Sequence, residues 1–235
     1  MTQKSFILLQ PEETHPCSYL KGQQARSVYI NPKSELDDLD LTLLSQNGFR
    51  RSGKLVYRPN CPSCNACQSV RIPVHKFQPS KSQKRIKKKN KDLTLSVTAP
   101  SKRFYPLFEK YIRTKHQSGD MYPANEKQFD DFLCNDFGNT GFLVAQKGQQ
   151  VLACMVFDLL RDGLSSVYCF YDTDYIERSL GTFMILTLND LTNSIDLKFN
   201  YLGYYIKDSP QMNYKNHFHP IEFFNGQVWQ DLTIN

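Results

Sequence analysis

The sequence predicts a mixed α+β protein, in which a small Cys- and Arg-rich N-terminal region precedes a larger domain with a mixed, mostly antiparallel sheet. Two observations lead to this prediction. The first ninety residues are dense in Pro, Cys and Arg and carry only short periodic segments. The rest of the chain shows longer segments with strand or helix periodicity. We therefore divide the chain into residues 1–92 and residues 93–235.

The predicted elements begin with a short helix over 38–46 and a short strand over 70–74. Residues 93–98 alternate as a strand. Apolar residues at helical spacing then predict a helix over 101–116, with Ser101 as its N-cap, and Asn125 opens a second helix.

Three strands, one helix and two further strands complete the chain. Gly148 and Asp162-Gly163 mark the turns between the first three strands. The predicted strands are 142–145, 151–160, 165–171, 199–206 and 227–232, and the predicted helix is 179–193. Up to residue 206, the order after residue 92 is β-α-α-β-β-β-α-β.

Composition limits the class of protein. The 235 residues are 40% hydrophobic and 22% charged, as in an ordinary folded protein. No apolar run approaches the roughly 20 residues that span a bilayer, and the apolar patch near the N-terminus is too short for a signal peptide. An odd number of Cys residues, seven, without an export signal argues against a disulfide framework. We expect a cytoplasmic protein with reduced thiols and no membrane partner.

Basic residues are concentrated in one segment, and no Asp or Glu occurs between Leu41 and Lys91. The run contains Lys81, Lys84, Arg85, Lys87, Lys88, Lys89 and Lys91. Such a run is either a solvated helix face or a patch that binds nucleic-acid phosphates. The absence of interleaved acids favours the phosphate patch, because solvated helices usually mix signs.

Three thiols recur at two-residue gaps in Cys61-Pro-Ser-Cys64-Asn-Ala-Cys67, and Cys17 lies upstream. Four such ligands satisfy tetrahedral zinc and equally an iron–sulfur cluster. The alternative is four reduced cysteines that pack as small apolar residues. Cys134, Cys154 and Cys169 fall on apolar positions of predicted elements, so we assign them to the core.

The order of elements after residue 92 resembles the GNAT acyltransferase fold, and Arg178-Ser-Leu-Gly181 stands where the donor loop of that fold lies. The resemblance implies that the N-terminus of the following helix faces the acyl donor. Phe183 occupies a position that is small in coenzyme A-dependent members, which argues against an ordinary coenzyme A site. An acyl-CoA N-acyltransferase remains an alternative.

Four segments together resemble the arginyl-tRNA–protein transferase family, and among its members the bacterial aspartate/glutamate leucyltransferases. They are Cys17-Ser-Tyr-Leu-Lys-Gly-Gln-Gln-Ala-Arg26, Gly48-Phe-Arg-Arg-Ser-Gly53, Tyr57-Arg-Pro-Asn-Cys-Pro-Ser-Cys-Asn-Ala-Cys67 and Ser80-Lys-Ser-Gln-Lys-Arg85. Further matches are Tyr168-x-x-Tyr171-Asp172, Tyr201-Leu-Gly-Tyr-Tyr-Ile206 and Met212-Asn-Tyr-Lys215. The resemblance covers nearly the whole chain. Ser209 departs from it, since many relatives carry Cys there.

The resemblance implies transfer of leucine from leucyl-tRNA to proteins that begin with Asp or Glu, which marks those proteins for degradation. Residues 1–92 would then recognise the acceptor, and residues 93–235 would carry out the transfer. The leucyl donor rests on the resemblance alone, so arginyl transfer remains open. A non-enzymatic zinc-ribbon nucleic-acid binder is a further alternative, although it leaves the α/β body with its tyrosines unexplained.

Arginine is the side chain best suited to bind an acceptor carboxylate, through two parallel hydrogen bonds. The candidates are Arg26, Arg50, Arg51, Arg58 and Arg71, of which we expect at least two to be structural. For catalysis we select Tyr171, Asp172 and Tyr204, to orient or deprotonate the amine and to donate to the ester oxygen. The basic run and Arg178 are assigned to tRNA. The chemistry requires no cofactor, because the aminoacyl ester is already activated.

Overall fold

The computed structural model describes residues 6–119, 121–134 and 138–232. Its strands are β1 Leu8–Leu9, β2 His15–Pro16, β3 Gln24–Ala25, β4 Ser27–Ile30, β5 Arg50–Ser52, β6 Leu55–Pro59, β7 Gln68–Pro73, β8 Thr94–Thr98, β9 Thr140–Lys147, β10 Gln150–Leu159, β11 Gly163–Tyr171, β12 Phe199–Tyr205, β13 Glu222–Phe224 and β14 Trp229–Asp231. Within the described residues these strands form sheets of eight, four and two strands.

The helices are α1 Asp38–Gln46, α2 Lys81–Lys89, α3 Tyr105–Lys115, α4 Glu126–Phe129 and α5 Leu180–Ser194. Short 3-10 turns lie at Val74–Lys76, Lys102–Phe104, Thr173–Arg178 and Asn213–His217, and a π-helical turn at Asp130–Cys134 continues α4. None of the described helices combines the length and apolar character that a membrane span needs.

The eight-stranded sheet has the order β14-β13-β7-β12-β11-β10-β9-β8. Neighbours pair antiparallel except β11 and β12, which are parallel and joined by the crossover helix α5. This arrangement confirms the predicted α+β class with a mixed, mostly antiparallel sheet. The predicted order from residue 93 to residue 206 is also present.

Two hydrophobic layers cover the two faces of the large sheet, as the alternation along β10 illustrates. Met155 and Phe157 belong to the layer packed with α5, whereas Cys154 and Val156 belong to the layer packed with α3. Successive side chains of a strand point to opposite faces, so a fully buried strand must be apolar throughout. The assignment of Cys154 to the core is confirmed, since it is fully buried.

The N-terminal region contributes strands to both the four-stranded and the eight-stranded sheet. β1, β4, β6 and β5 form the four-stranded sheet, whose apolar side packs against α1. β7, however, lies inside the eight-stranded sheet between β13 and β12. The division at residue 92 stays a prediction, and the strand before it is an interior strand of the large sheet.

Candidate functional site

A cavity of about 990 Å³ opens where the two parallel strands separate. β11 and β12 pair only from Gly163 opposite Phe199 to Ser165 opposite Tyr201. Beyond that point, residues 166–169 and Tyr171 of β11 and residues 202–204 of β12 line the cavity. The cavity thus lies between the carboxyl ends of two parallel strands, which is a common location for a ligand site.

The N-terminus of α5 forms one wall of this cavity, through residues 179–182. Ser179 has the left-handed conformation, with φ 52°, and provides no side-chain cap. The first backbone N–H groups of a helix have no partner within the helix, and with the helix dipole they favour a negatively charged group. Gly181 lets the Tyr171 ring approach the helix closely, because a Cβ at this position would lie 3.3 Å from that ring.

Arg50 extends from β5 into the cavity, where neutral oxygens bind its guanidinium. Nη1 donates to Ser165 Oγ at 3.4 Å and to the Tyr201 carbonyl at 3.3 Å, and Nη2 donates to the Ser166 carbonyl. Within the described part of the chain no carboxylate lies within 4.0 Å of it. Burial lowers the pKa of Arg50. Arg50 is half-buried, and a guanidinium that no carboxylate binds directly is a candidate site for an anionic ligand.

Arg51 also lines the cavity, but its guanidinium is bound by Asp158 of β10. Nε and Nη2 donate to the two carboxylate oxygens at 2.7 and 2.9 Å, and Thr140 donates to the same carboxylate. Both side chains are less than a tenth exposed. This geometry is that of a structural ion pair joining the four-stranded sheet to the large one.

The other predicted acceptor arginines lie outside the cavity lining. Arg26 donates to the Asn60 carbonyl at 3.4 Å, next to the thiols. Arg58 stacks on the Phe49 ring, with Cζ 4.9 Å from its centroid. Arg71 pairs with Glu222 and lies 3.5 Å from the Phe199 ring centroid. Of the arginines selected from sequence, the structure brings only Arg50 and Arg51 into this cavity among the residues it describes.

Lys215 is the residue that sequence reasoning missed. It is 4% exposed, lines the cavity, and has no carboxylate within 4.0 Å in the described ranges. Burial, and then the charge of Arg50, lower its pKa to about 7. Lys215 belongs to a segment that resembles the family, Met212-Asn-Tyr-Lys215, but the sequence contains no signal that this lysine is buried.

Aromatic side chains form another wall of the cavity. Tyr111 lies between Tyr171 and Tyr168, with ring centroids 4.9 and 6.4 Å away, and Phe132 lies 5.4 Å from Tyr168. Tyr204 also lines the cavity, although its hydroxyl donates to the Gly48 carbonyl at 3.0 Å. These rings provide flat apolar surfaces of the kind on which nucleobases stack.

Asp172, selected as a catalytic carboxylate, caps the turn after β11 and accepts from the Asp174 N–H at 3.1 Å. Lys110 Nζ donates to it at 2.5 Å, and Gln150 donates at 3.4 Å. Among the residues described, Asp172 is not part of the cavity lining. Its neighbour Tyr171 is.

The basic run forms helix α2, where the lysines separate into two groups. Lys81, Lys84, Arg85 and Lys88 recur at i, i+3, i+4 and i+7 and are exposed, so they form one basic stripe. Lys87 instead pairs with Asp190 at 2.5 Å, and Lys89 donates to the Glu177 carbonyl. Arg178 is bound by Asp92 through two hydrogen bonds of 2.9 and 3.0 Å, and this bonding lowers the pKa of Asp92 to about 2.

The four cysteines from the N-terminal region lie near one another. Backbone N–H groups of Tyr19 and Leu20 donate to Cys17 Sγ at 3.4 Å. Burial, with the neighbouring Cys61, Cys17 and Cys64, raises the pKa of the Cys67 thiol to about 12. Yet among the described residues no group of three or more His, Cys, Asp or Glu side chains has the arrangement of a metal site. The donor set suits zinc or an iron–sulfur cluster, and this metal centre stays a prediction.

We expect protein purified without oxygen to contain about one zinc ion or one cluster per chain, and Cys64→Ser to reduce that content strongly. Elemental analysis and the visible absorption of a cluster measure this directly. The matched control is Cys154→Ser, which alters a core thiol on β10. A wild-type protein with neither zinc nor iron would remove the metal hypothesis.

Both family models and full-length relatives match this chain. The model of the arginine-tRNA-protein transferase C terminus matches residues 103–225, and that of the N terminus matches residues 15–85. The chain is 41% identical to an aspartate/glutamate leucyltransferase of Teredinibacter turnerae, over 100% of this chain and 98% of that protein. It is 42% identical to a protein of the same name from Pseudomonas fluorescens, over 99% of this chain and 100% of the relative.

Among solved structures, FemX covers 87% of this chain and 81% of its own, with a TM-score of 0.49 and 7% identity. The two family models and the full-length relatives establish that this chain belongs to the arginine-tRNA-protein transferase family.

Proposed function

We propose that this protein transfers leucine from leucyl-tRNA to the N-terminal α-amine of proteins that begin with Asp or Glu. The observation that carries the proposal is Arg50, a half-buried guanidinium in the cavity without a carboxylate partner in the described residues. The names of the full-length relatives give the same transferred residue, leucine, and the same acceptor residues, aspartate and glutamate.

Arg50 accounts for the choice of acceptor. The carboxylate of an N-terminal Asp or Glu would neutralise the charge of Arg50 inside the cavity. An uncharged N-terminal residue would leave that charge buried and unpaired, which penalises the wrong acceptor. Of the predicted acceptor arginines, we therefore assign the contact to Arg50 and treat Arg51 as its structural neighbour.

The lining of the cavity favours a leucyl over an arginyl donor. Met155, Leu180, Ile185, Leu202 and Met212 supply apolar surface for a leucine side chain. No Asp or Glu belongs to the lining within the described ranges, whereas Arg50, Arg51 and Lys215 do, and of these only Arg51 is bound by a carboxylate there. An arginyl side chain would therefore be buried without a counter-charge and beside cations.

Leucine transfer here requires alignment and charge stabilisation rather than a protein nucleophile. The α-amine attacks the carbonyl of the leucyl ester, and the bond to the tRNA ribose oxygen breaks. The aromatic wall of Tyr111, Tyr168 and Phe132 offers a stacking surface for the terminal base of the donor. The first N–H groups of α5 lie in the same cavity and suit the negative charge of a donor phosphate.

The basic stripe of α2 is assigned to the tRNA backbone. We expect the triple variant Lys84→Ala, Arg85→Ala, Lys88→Ala to weaken leucyl-tRNA binding, and to lower the slope of log affinity against log salt by about 2–3. Titrations at several salt concentrations measure this. The matched control is Lys33→Ala, Lys198→Ala, Lys207→Ala, which removes three exposed lysines elsewhere. If the slope of log affinity against log salt is unchanged in the α2 variant, the stripe is a solvated face that does not contact tRNA.

The product begins with leucine, and as part of the proposal this new N-terminus marks the protein for degradation in the cytoplasm. The test is transfer of radiolabelled leucine from leucyl-tRNA to peptides that differ only in their first residue: Asp, Glu, Lys or Ala. We expect transfer to Asp and Glu alone, and little transfer when arginyl-tRNA replaces leucyl-tRNA. Transfer from an acyl-coenzyme A without tRNA would favour the alternative acyltransferase.

A further inference from the structure

The buried lysine of the cavity has no function in the reaction as described so far. Lys215 lies on the 3-10 turn Asn213–His217, which is anchored by Gln83 of α2, whose Nε2 donates to the His217 carbonyl at 2.9 Å. Its Nζ lies 3.6 Å from Met212 Sδ and 4.7 Å from the centroid of the Tyr214 ring. A lysine held among a thioether and an aromatic ring, without a counter-ion, resembles the desolvated amines that enzymes use as bases.

The charged and titratable groups around Lys215 can be named from each side. Arg50 of β5 is the charged group that acts on it, and Tyr214 is the titratable neighbour on its own turn. Tyr57 of β6, Tyr204 of β12, Asp158 of β10 and Tyr214 act on Arg50 in turn. With burial and a nearby guanidinium acting in the same direction, the amine loses its proton near neutral pH.

We propose that Lys215 is a catalytic residue that accepts the proton of the attacking α-amine and delivers it to the ribose oxygen that leaves. The inference rests on the proposed function. An acceptor carboxylate bound at Arg50 places the α-amine only a few bonds from that guanidinium, and Lys215 lines the same cavity close enough to Arg50 for its charge to act on the lysine.

The step balances in atoms and charge. The amine nitrogen bonds to the ester carbonyl carbon, and the carbonyl oxygen becomes the oxyanion. One N–H proton passes to Lys215 Nζ, which becomes an ammonium group. The oxyanion then re-forms the carbonyl as the bond between carbon and ribose oxygen breaks, and Lys215 returns the proton to that oxygen. The products are the leucylated protein, free tRNA and neutral Lys215.

The test compares Lys215→Met and Lys215→Arg in single-turnover transfer to an Asp peptide across pH 5.5–9. A general base contributes about 10²–10⁴-fold, so we expect both variants to lose at least about 100-fold in rate while they still bind peptide and leucyl-tRNA. Below pH 7 the log rate of the wild type should rise with a slope approaching about two, one for the acceptor amine and one for Lys215. In both variants the slope should fall to about one.

Arginine keeps the positive charge but does not act as a base. The Lys215→Arg variant therefore distinguishes two roles of Lys215, that of a base and that of a cation that only binds the acceptor. Near wild-type rate in Lys215→Arg would overturn the inference, as would an unchanged slope in Lys215→Met. Lys215→Ala should regain part of its rate with added methylamine, and thermal unfolding verifies that each variant is folded. Lys207→Met, at an exposed lysine, is the matched control. If the wild type transfers no leucine at all, the proposed function fails; if it transfers but these variants behave as the wild type, only the inference fails.

Discussion

Replacing Arg50 with methionine is expected to remove most transfer of leucine to peptides that begin with Asp. The variant loses the charge that binds the acceptor carboxylate, and loss of one partner of a buried, hydrogen-bonded charge pair costs about 2–5 kcal/mol. That corresponds to roughly 30- to 4000-fold in kcat/KM. Steady-state kinetics with Asp and Asn peptides measure both the loss and the change in selectivity, because the two peptides differ mainly in charge.

We expect the ratio of kcat/KM for Asp over Asn to fall towards one in Arg50→Met and to stay well above one in Arg50→Lys. The lysine variant is needed because Arg50 also bonds to oxygens of β11 and β12, so a loss of activity alone is compatible with local disorder. Thermal unfolding of both variants separates loss of the charge from local disorder. If Arg50→Met is folded and keeps the wild-type ratio of kcat/KM for Asp over Asn, another group binds the acceptor carboxylate.

The second large effect is on stability. Asp158→Ala removes the carboxylate that binds Arg51 Nε and Nη2, and breaking a buried ion pair in this way costs about 3–5 kcal/mol. For a chain of this size, each kcal/mol lowers Tm by about 2–4 °C, so we expect a decrease of roughly 6–20 °C. Calorimetry or denaturant unfolding followed by fluorescence measures the change.

The matched control for Asp158→Ala is Lys127→Ala, which breaks the exposed pair with Asp131 and should alter stability by no more than about 1 kcal/mol. The double variant Arg51→Met, Asp158→Leu should recover much of the loss, because apolar replacement of a buried ion pair is often neutral. A single-variant loss as small as that of the control would contradict the structural assignment of Arg51.

Elements with strong local signals were predicted from the sequence and are confirmed. The capping side chain of Asn125 begins α4, and the turn at Asp162-Gly163 leads from β10 into β11. The strands β5 and β6 were missed, because Arg50-Arg51-Ser52 has no alternation of apolar and polar residues. Their strand geometry depends on pairing with each other and with β4, a tertiary effect that local propensity does not contain.

The site was predictable only in part, for a related reason. Composition and the family resemblance selected the arginines, but whether an arginine is neutralised depends on partners far along the chain, such as Asp158 for Arg51. Lys110, sixty-two residues before Asp172, likewise decides the environment of that carboxylate. Burial of a lone lysine runs against the usual distribution of lysines, so Lys215 emerged only from the structure.

The position of β7 in the middle of the large sheet limits how this protein can be dissected. A fragment that starts at residue 93 would lack the strand that connects β12 to β13, and would leave two rows of backbone hydrogen-bonding groups without their partner. An N-terminal segment exchanged between relatives would therefore have to carry a β7 that pairs with β12 and β13 of its new host. Grafting single side chains around Arg50 onto an intact chain avoids that requirement in hybrid enzymes with a new acceptor preference.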